Sequence, residues 1–598
     1  MAKCLMHKML GLVHAHRLPA VWTIWLTFAA FLPGAAFGSA SQPVVISVRG
    51  SEYYVDIGST HGIALGDTLE IVSPESHRLK SVVTVLLVYD GHSITRPEWS
   101  DESLSVKLLD LVRRPTRAVE ESIRPEETDD PVILATVEGS LGSLSARLKH
   151  NDPSARDKNG WTSLHFAAAR GLLDKMELLL AASAPKDAGD ADGYTPLIVA
   201  IGHRQKSAAL RLIRAGANVK RKTKEGYTAL HYAALLNQSE ICHALISAGA
   251  SIESKAKNNQ TPLLAAAAGG SLHAAGILLE RGANPYAERK RGGALAAAAM
   301  SGKNKVVQLL LSRKLDQKTI NLGLAAATSN GRLHITRLLL ANGADPSYVT
   351  THEKERLPIL FLAAGAGYES TALALVDHGA SVHVIGPNSG SLLHLASIVG
   401  MPGFAQRLLE EGVKVHPTLE GGHTSLHLAA SEGNARIAEL LLSAGADIEA
   451  VNDMEETPLL VASAAGHLEV VKRLLAHGAD VKAGNTNHAT ALLLADTLQR
   501  FAIVEGPFPE AIAHYQSSAA KIVEALLMVG ADPNARNLNG QTALHIAAVF
   551  GDVASARILV QARTRLDVSD TNDRTSWETA QAFWPDGGAQ TLFDDLLK

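Results

Sequence analysis

The chain has 598 residues, 46% of them hydrophobic and 5% aromatic, with 56 Lys and Arg against 60 Asp and Glu and a formal net charge of −4. That balance excludes a protein that binds nucleic acid by neutralising phosphates. Two cysteines, Cys4 and Cys242, exclude a disulfide-stapled scaffold.

Residues 1 to 40 contain Lys3, Lys8 and Arg17, no acid, an apolar run from Leu18 to Phe37, and then Gly38-Ser39-Ala40. This is the layout of an export signal, with cleavage expected after Ala40 and Ala36-Phe37-Gly38 as the near alternative. A membrane anchor over residues 18–37 is the competing reading. Pro19 and Pro33 bracket a run of marginal length and no charge cluster follows it, which favours cleavage and a periplasmic or secreted chain. Removing the segment takes the charge from −4 to −7 and leaves Cys242 as the one thiol. Cys242 lies in the apolar stretch Ile-Cys-His-Ala-Leu-Ile, which reads as a buried structural position.

Residues 43–114 are β in texture. Val44, Val45, Ile46 and Val48 open a strand-like run that Tyr53, Tyr54, Val55 and Ile57 continue, with turn signals at Gly58-Ser59 and Gly66-Asp67. A small barrel of five or six strands is expected. The stretch from Tyr54 to Ile71 is similar to the small β-barrel modules of exported bacterial proteins in cell-envelope and flagellar assemblies. The resemblance implies envelope docking; a domain that only shields the end of the array is the alternative. Residues 115–131, with three prolines and an acidic end, read as a linker.

From residue 132 to 598 one pattern recurs at a step of 33 residues. Thr162, Thr195, Thr228, Thr261, Gly293, Leu322, Pro358, Ser391, Thr424, Thr457, Thr490, Thr542 and Thr575 hold one phase, and an alanine stands five residues after every one of them, from Ala167 to Ala580. The phase Thr or Ser supplies a helix cap, and a following Pro suits the first turn, as in Thr261-Pro262 and Thr457-Pro458. Gly171, Gly270, Gly433 and their equivalents close the first helix. A second helix with an apolar stripe follows, and a polar segment of about ten residues turns back as a hairpin-like finger. The small alanine lets successive first helices approach closely.

The fold expected is therefore mainly α, a solenoid of helix-turn-helix units with β-hairpin fingers. Gly160-Trp-Thr-Ser-Leu-His-Phe-Ala-Ala168, Gly226-Tyr-Thr-Ala-Leu-His-Tyr-Ala-Ala234 and Gly540-Gln-Thr-Ala-Leu-His-Ile-Ala-Ala548, with the period, resemble the ankyrin repeat family. The resemblance implies a protein-binding surface on the finger tips and the concave face. It also implies that His165, His231, His394, His427 and His545 tie one unit to the next. Ile198, Leu264, Phe361, Leu460 and Leu493 replace that histidine elsewhere, where the tie must be lost. Residues Ile133 to Gly160 are expected to cap one end of the array, and Trp577, Phe583, Trp584, Leu592 and Phe593 the other.

Two irregularities break the register. Between Ser312 and Pro358 the spacing drifts and Lys314 takes a glycine position, so a looser joint or a change of curvature is expected. After Thr490 the next unit is 52 residues away, and the excess, near 499–518, carries Phe501, Ile503, Val504, Phe508 and Tyr515. Folding back onto adjacent helices is the simpler reading, and a partner-binding flap the alternative.

Neither a metal-ligand motif, a nucleophile elbow, a phosphate loop nor a dinucleotide fingerprint occurs, so no cofactor is expected and the chain reads as a non-enzymatic scaffold, expected to act as a monomer. The fingers offer the binding surface. Lys220, Arg221, Lys222 and Lys224 occupy one, Lys255 and Lys257 the next, and Arg289, Lys290 and Arg291 a third, a basic stripe suited to an acidic protein partner. An exported scaffold of the cell envelope is the reading these features favour. The alternatives are a secreted effector that engages a host protein and an enzyme with an unrecognised site in the N-terminal domain.

Overall fold

The computed structural model describes residues 128–583, apart from 288–291, 353–354, 387–389 and 496–508, and five short strands upstream. Of those strands, Val45–Arg49 pairs antiparallel with Glu52–Val55 and, through Val45 and Ile46, with Ile24–Trp25; Thr68–Val72 pairs antiparallel with Leu79–Thr84. The remainder of the regions read as export signal, small barrel and linker lies outside the described residues.

From Pro131 onward the chain is a single file of helix pairs. Each first helix packs on the first helices of its neighbours and each second helix on the second helices. The reason is visible at one position. Ala167, Ala200, Ala233, Ala266, Ala298, Ala327, Ala363, Ala396, Ala429, Ala462, Ala495 and Ala547 are all 0% exposed, and Ala580 is 1%. A side chain of one methyl at the seam brings the backbones together, and Leu, Ile and Val from both helices of each unit fill the space on either side.

Most phase residues cap as the spacing predicts; Thr490 heads its helix without a side-chain cap bond, its buried hydroxyl unpaired. Thr195, Thr261 and Thr457 accept from the backbone N–H three residues on, and Pro follows each cap. The chain turns back through left-handed residues at fixed places: Gly171, Gly270, Gly400 and Gly551 end first helices. Where the register lacks glycine the backbone still adopts positive φ, as at Ser183, Arg204, Asn237, Lys314 and Arg563.

Fingers are joined edge to edge by backbone hydrogen bonds. Ala191 N–H donates to Asn159 O, Lys224 N–H to Asp192 O and Lys257 N–H to Glu225 O, at 3.0, 2.8 and 2.9 Å. The row resumes further on, with Asp453 donating to Gly421, Thr486 to Met454, Leu538 to Asn487 and Thr571 to Asn539.

The first irregularity is packed, not loose. Between Asn304–Leu311 and Gln317–Ser329 no finger forms; Asp316 caps the longer helix by accepting from Thr319 N–H at 2.8 Å. Leu322 thus lies inside this helix and is not its cap, while Leu324 and Ala327 remain buried against Gly293–Met300. The next finger is instead a longer hairpin, Val349–His352 with Glu355–Pro358.

In the second irregularity, the first helix Ala491–Leu494 is short and the second, Pro509–Met528, runs 20 residues. Ile522, Val523 and Leu526, fully buried, occupy the ordinary second-helix positions. The later part of the insertion, from Pro509, is therefore an N-terminal extension of that helix. Phe501, Ile503, Val504 and Phe508, expected to fold back on the adjacent helices or, alternatively, to form a flap, lie outside the described residues. At the ends, Pro131–Val137 and Leu141–Leu148 form the first helix pair, and Trp577 packs with Ala548 and Ala580 at the other; Trp584, Leu592 and Phe593 are outside the described residues.

Candidate binding groove

The histidines predicted as ties act as ties. His427 Nδ1 accepts from Thr424 N–H at 3.2 Å and lies 2.8 Å from Thr424 Oγ1, while its Nε2 is 2.9 Å from the carbonyl oxygen of Glu456 in the next finger. A carbonyl only accepts, so Nε2 carries the proton and Nδ1 the lone pair. His165, His231, His394 and His545 repeat this with Tyr194, Gln260, Pro417 and Arg574. Burial pushes His165, His231, His394 and His427 down to about 4. They are neutral struts. Among the described residues no group of three His, Cys, Asp or Glu side chains could hold a metal ion, and no helix is long and apolar enough to cross a membrane.

A second set of ties escapes the sequence because its chemistry varies. The residue just before or at the start of a second helix reaches back to cap the preceding unit's first helix. Gln238 donates to Ile201 O, Ser271 to Leu235 O, Asn434 to Ser397 O and His467 to Ser431 O. A third set links finger to finger: Asp187, Glu253, Glu449 and Asn534 accept backbone N–H groups 31 residues ahead.

These ties bear directly on the basic stripe. Lys222 is spent structurally, its Nζ donating to Lys255 O at 2.9 Å, as Arg156 donates to Gly189 O and Arg536 to Ser569 O. Lys224 faces Asp192 at 3.9 Å and Lys257 faces Glu225 at 4.0 Å, loose pairs between exposed side chains that are worth little. Lys220, Arg221 and Lys255 are exposed. The structure thus brings two of the three fingers side by side; Arg289, Lys290 and Arg291 lie outside the described residues.

Beside these fingers the array forms a concavity of about 390 Å³ between finger tips and first helices. Trp161 and Tyr194, both half-buried, stand on fingers; Ile198, Val199, Gly202, His203 and Tyr232 come from first helices. Asp190, Asp192, Thr223, Lys224 and Glu225 complete the lining. Tyr194 and Tyr232 meet edge to face with ring centres 5.9 Å apart and their hydroxyls 3.2 Å apart. Trp161 packs on Phe166 at 5.0 Å and its indole N–H donates to Asp190 at 3.1 Å. Burial raises the Asp190 carboxyl above the usual range, although the N–H groups of Tyr194 and Asp192 also bond it. No candidate residue chosen from the sequence pointed to this cup except Lys224 at its edge.

Comparison with known proteins agrees with the geometry. A family model described as ankyrin repeats (3 copies) matches in overlapping windows over 132–505 and again over 511–582. Ankyrin repeat domain-containing protein 13C-B of Xenopus laevis is 35% identical over 82 residues, 13% of this chain and 16% of that relative's length. Repeats of this kind serve as protein-interaction scaffolds and are typically non-enzymatic. With the 33-residue period, the paired helices, the histidine ties and the linked fingers all present, the chain belongs to the ankyrin repeat family.

Proposed function

We propose that this chain is an exported, non-enzymatic scaffold of the cell envelope that holds another protein along the fingers and groove of its N-terminal units. The observation that carries the reading is the cup of about 390 Å³ set between linked fingers and buried helices. Its walls are fixed before any partner arrives, so binding orders few protein groups and keeps more of the contact energy. Lys220, Arg221 and Lys255, exposed alongside, favour a partner that presents an acidic segment and make the encounter salt-dependent. The layout of residues 1–40 supports export, and the β-rich segment 43–114 is the piece assigned to docking in the envelope.

The test combines fractionation with capture. Cells expressing the full chain are separated into cytoplasm, periplasm, membrane and medium, and proteins crosslinked to the chain are identified. Recovery in the periplasm with a reproducible partner is expected. Recovery in the medium supports the secreted effector instead, and retention in the cytoplasm overturns export. A chain carrying Lys220→Glu, Arg221→Glu and Lys255→Glu should capture the partner less well at low salt; equal capture by both chains removes the stripe from the reading.

A further inference from the structure

Resting on that reading, we infer that the cup receives an arginine side chain from the partner's bound segment. Three features converge on this chemistry. The first is the aromatic wall: Trp161 and Tyr194 are half-buried, so parts of both rings border the cavity. A guanidinium plane stacks on such rings more favourably than an ammonium does, because it is flat and weakly hydrated.

The second feature is acceptor capacity at the rim. Asp192 and Glu225 stand at the same place in successive fingers, and each has its nearest cation at 3.9 or 4.0 Å. Those separations are too long for hydrogen bonds, so the carboxylate oxygens can still accept a charge-assisted fork. Lys224 and Lys257, both exposed on flexible stems, can swing toward water as the guanidinium enters.

The third feature is the floor. The buried Tyr232 hydroxyl donates to that of the half-buried Tyr194, which leaves a lone pair on Tyr194 for a donor in the cup. An apolar side chain would gain from the rings, Ile198 and Val199, but it would satisfy none of the polar groups and would strip water from both carboxylates. A carboxylate would meet Asp190, Asp192 and Glu225 and be repelled. The partner segment is therefore one in which an arginine sits beside the acidic residues drawn by Lys220, Arg221 and Lys255.

Synthetic glycine-serine peptides with a central Arg, citrulline, Lys, Leu or Phe provide the probe, titrated into the full chain through the millimolar range. Trp161 fluorescence, identified by its loss in Trp161→Phe, reports occupancy. The Arg peptide should shift the Trp161 signal and bind about tenfold tighter than the citrulline peptide, its uncharged isostere. The double variant Asp192→Asn, Glu225→Gln, altered only at exposed positions, should remove that preference while keeping the circular dichroism of the parent. Equal binding of Arg and citrulline peptides, preference for Leu or Phe, or no response to any peptide overturns the inference. Partner capture by the unaltered chain separates the two claims: if capture persists when the Arg peptide fails, only the cup assignment is lost, and if capture itself fails the scaffold reading goes with it.

Discussion

His427 and Glu456, 29 residues apart in sequence, are joined by a 2.9 Å hydrogen bond from an imidazole N–H to a backbone carbonyl. The bond needs a neutral ring. Protonating Nδ1 would set a new N–H against the Thr424 N–H that now donates to it at 3.2 Å.

Stability should therefore fall in mild acid. His165, His231, His394 and His427 sit near 4 in the folded chain because burial disfavours the charged ring, against 6.5 when unfolded. The unfolded chain binds the protons first, so the contribution is whole above about pH 6.5 and disappears as pH falls toward 4. Each histidine is worth on the order of 3 kcal/mol across that window, and the terms are not additive in a linear array. Thermal unfolding followed from pH 7 to 4 should show a steep drop in Tm. His427→Leu, the residue found at the matching place in the Thr261 unit, should flatten the drop; a pH-independent Tm in the parent chain contradicts the strut assignment.

The seam alanine gives a prediction of overpacking. Ala462 is fully buried between neighbouring first helices, and Leu there has three more carbons and nowhere to put them. Ala462→Leu should cost roughly 1–3 kcal/mol, read as a lower urea midpoint. An unchanged midpoint would mean that the seam is slack.

How much of this was legible follows from what recurs. The alanine seam and the caps appear in sequence because one residue type returns at a constant interval. The histidine ties were readable through the family motif. Finger struts such as Lys222 to Lys255 O were not, since a sequence shows a charge but not the carbonyl 33 residues away that uses it. Nor was the cup: Trp161, Tyr194 and Tyr232 belong to three units and converge only when those units stack. At Gln317–Ser329 the register predicts a looser joint or a change of curvature; the joint is packed, because a missing finger and a weak joint leave the same gap in the sequence.

Two glycines separate strain from crowding. Gly226 has φ +87° and a methyl there would lie 3.0 Å from Ala256 Cα and Lys257 N in the next finger. Gly445 has φ +82° and nothing within 4 Å. Gly445→Ala should cost about 1–2 kcal/mol from left-handed strain alone. Gly226→Ala should cost measurably more, since the finger contact must also open. Equal losses in the two unfolding curves would show that the fingers are not held together as described.

Cys242 is fully exposed to neither solvent nor reagents: it is buried, and burial pushes its thiol up to about 12. Thiolate is the reactive form, so modification should be slow in the native chain and rise with denaturant in parallel with loss of helical signal. Prompt labelling without denaturant would place the thiol elsewhere than in the core.

The N-terminal unit depends on one lysine. Lys175 Nζ lies 3.3, 2.6 and 2.8 Å from the carbonyl oxygens of Ala135, Thr136 and Gly139, at the end of Pro131–Val137. Ala135 O also accepts from Gly139 N–H at 3.1 Å, so the lysine adds to a helix end already partly closed, and a cation there complements the negative end of the helix. Lys175→Met keeps the stem and removes all three bonds, so the first pair of helices should loosen by about 1–3 kcal/mol. In a solenoid each unit feels its neighbours alone, so the loss should stay local. Hydrogen exchange should accelerate over residues 131–148 and remain unchanged beyond the Thr228 unit; acceleration spread evenly along the array would mean that the units do not hold together pairwise.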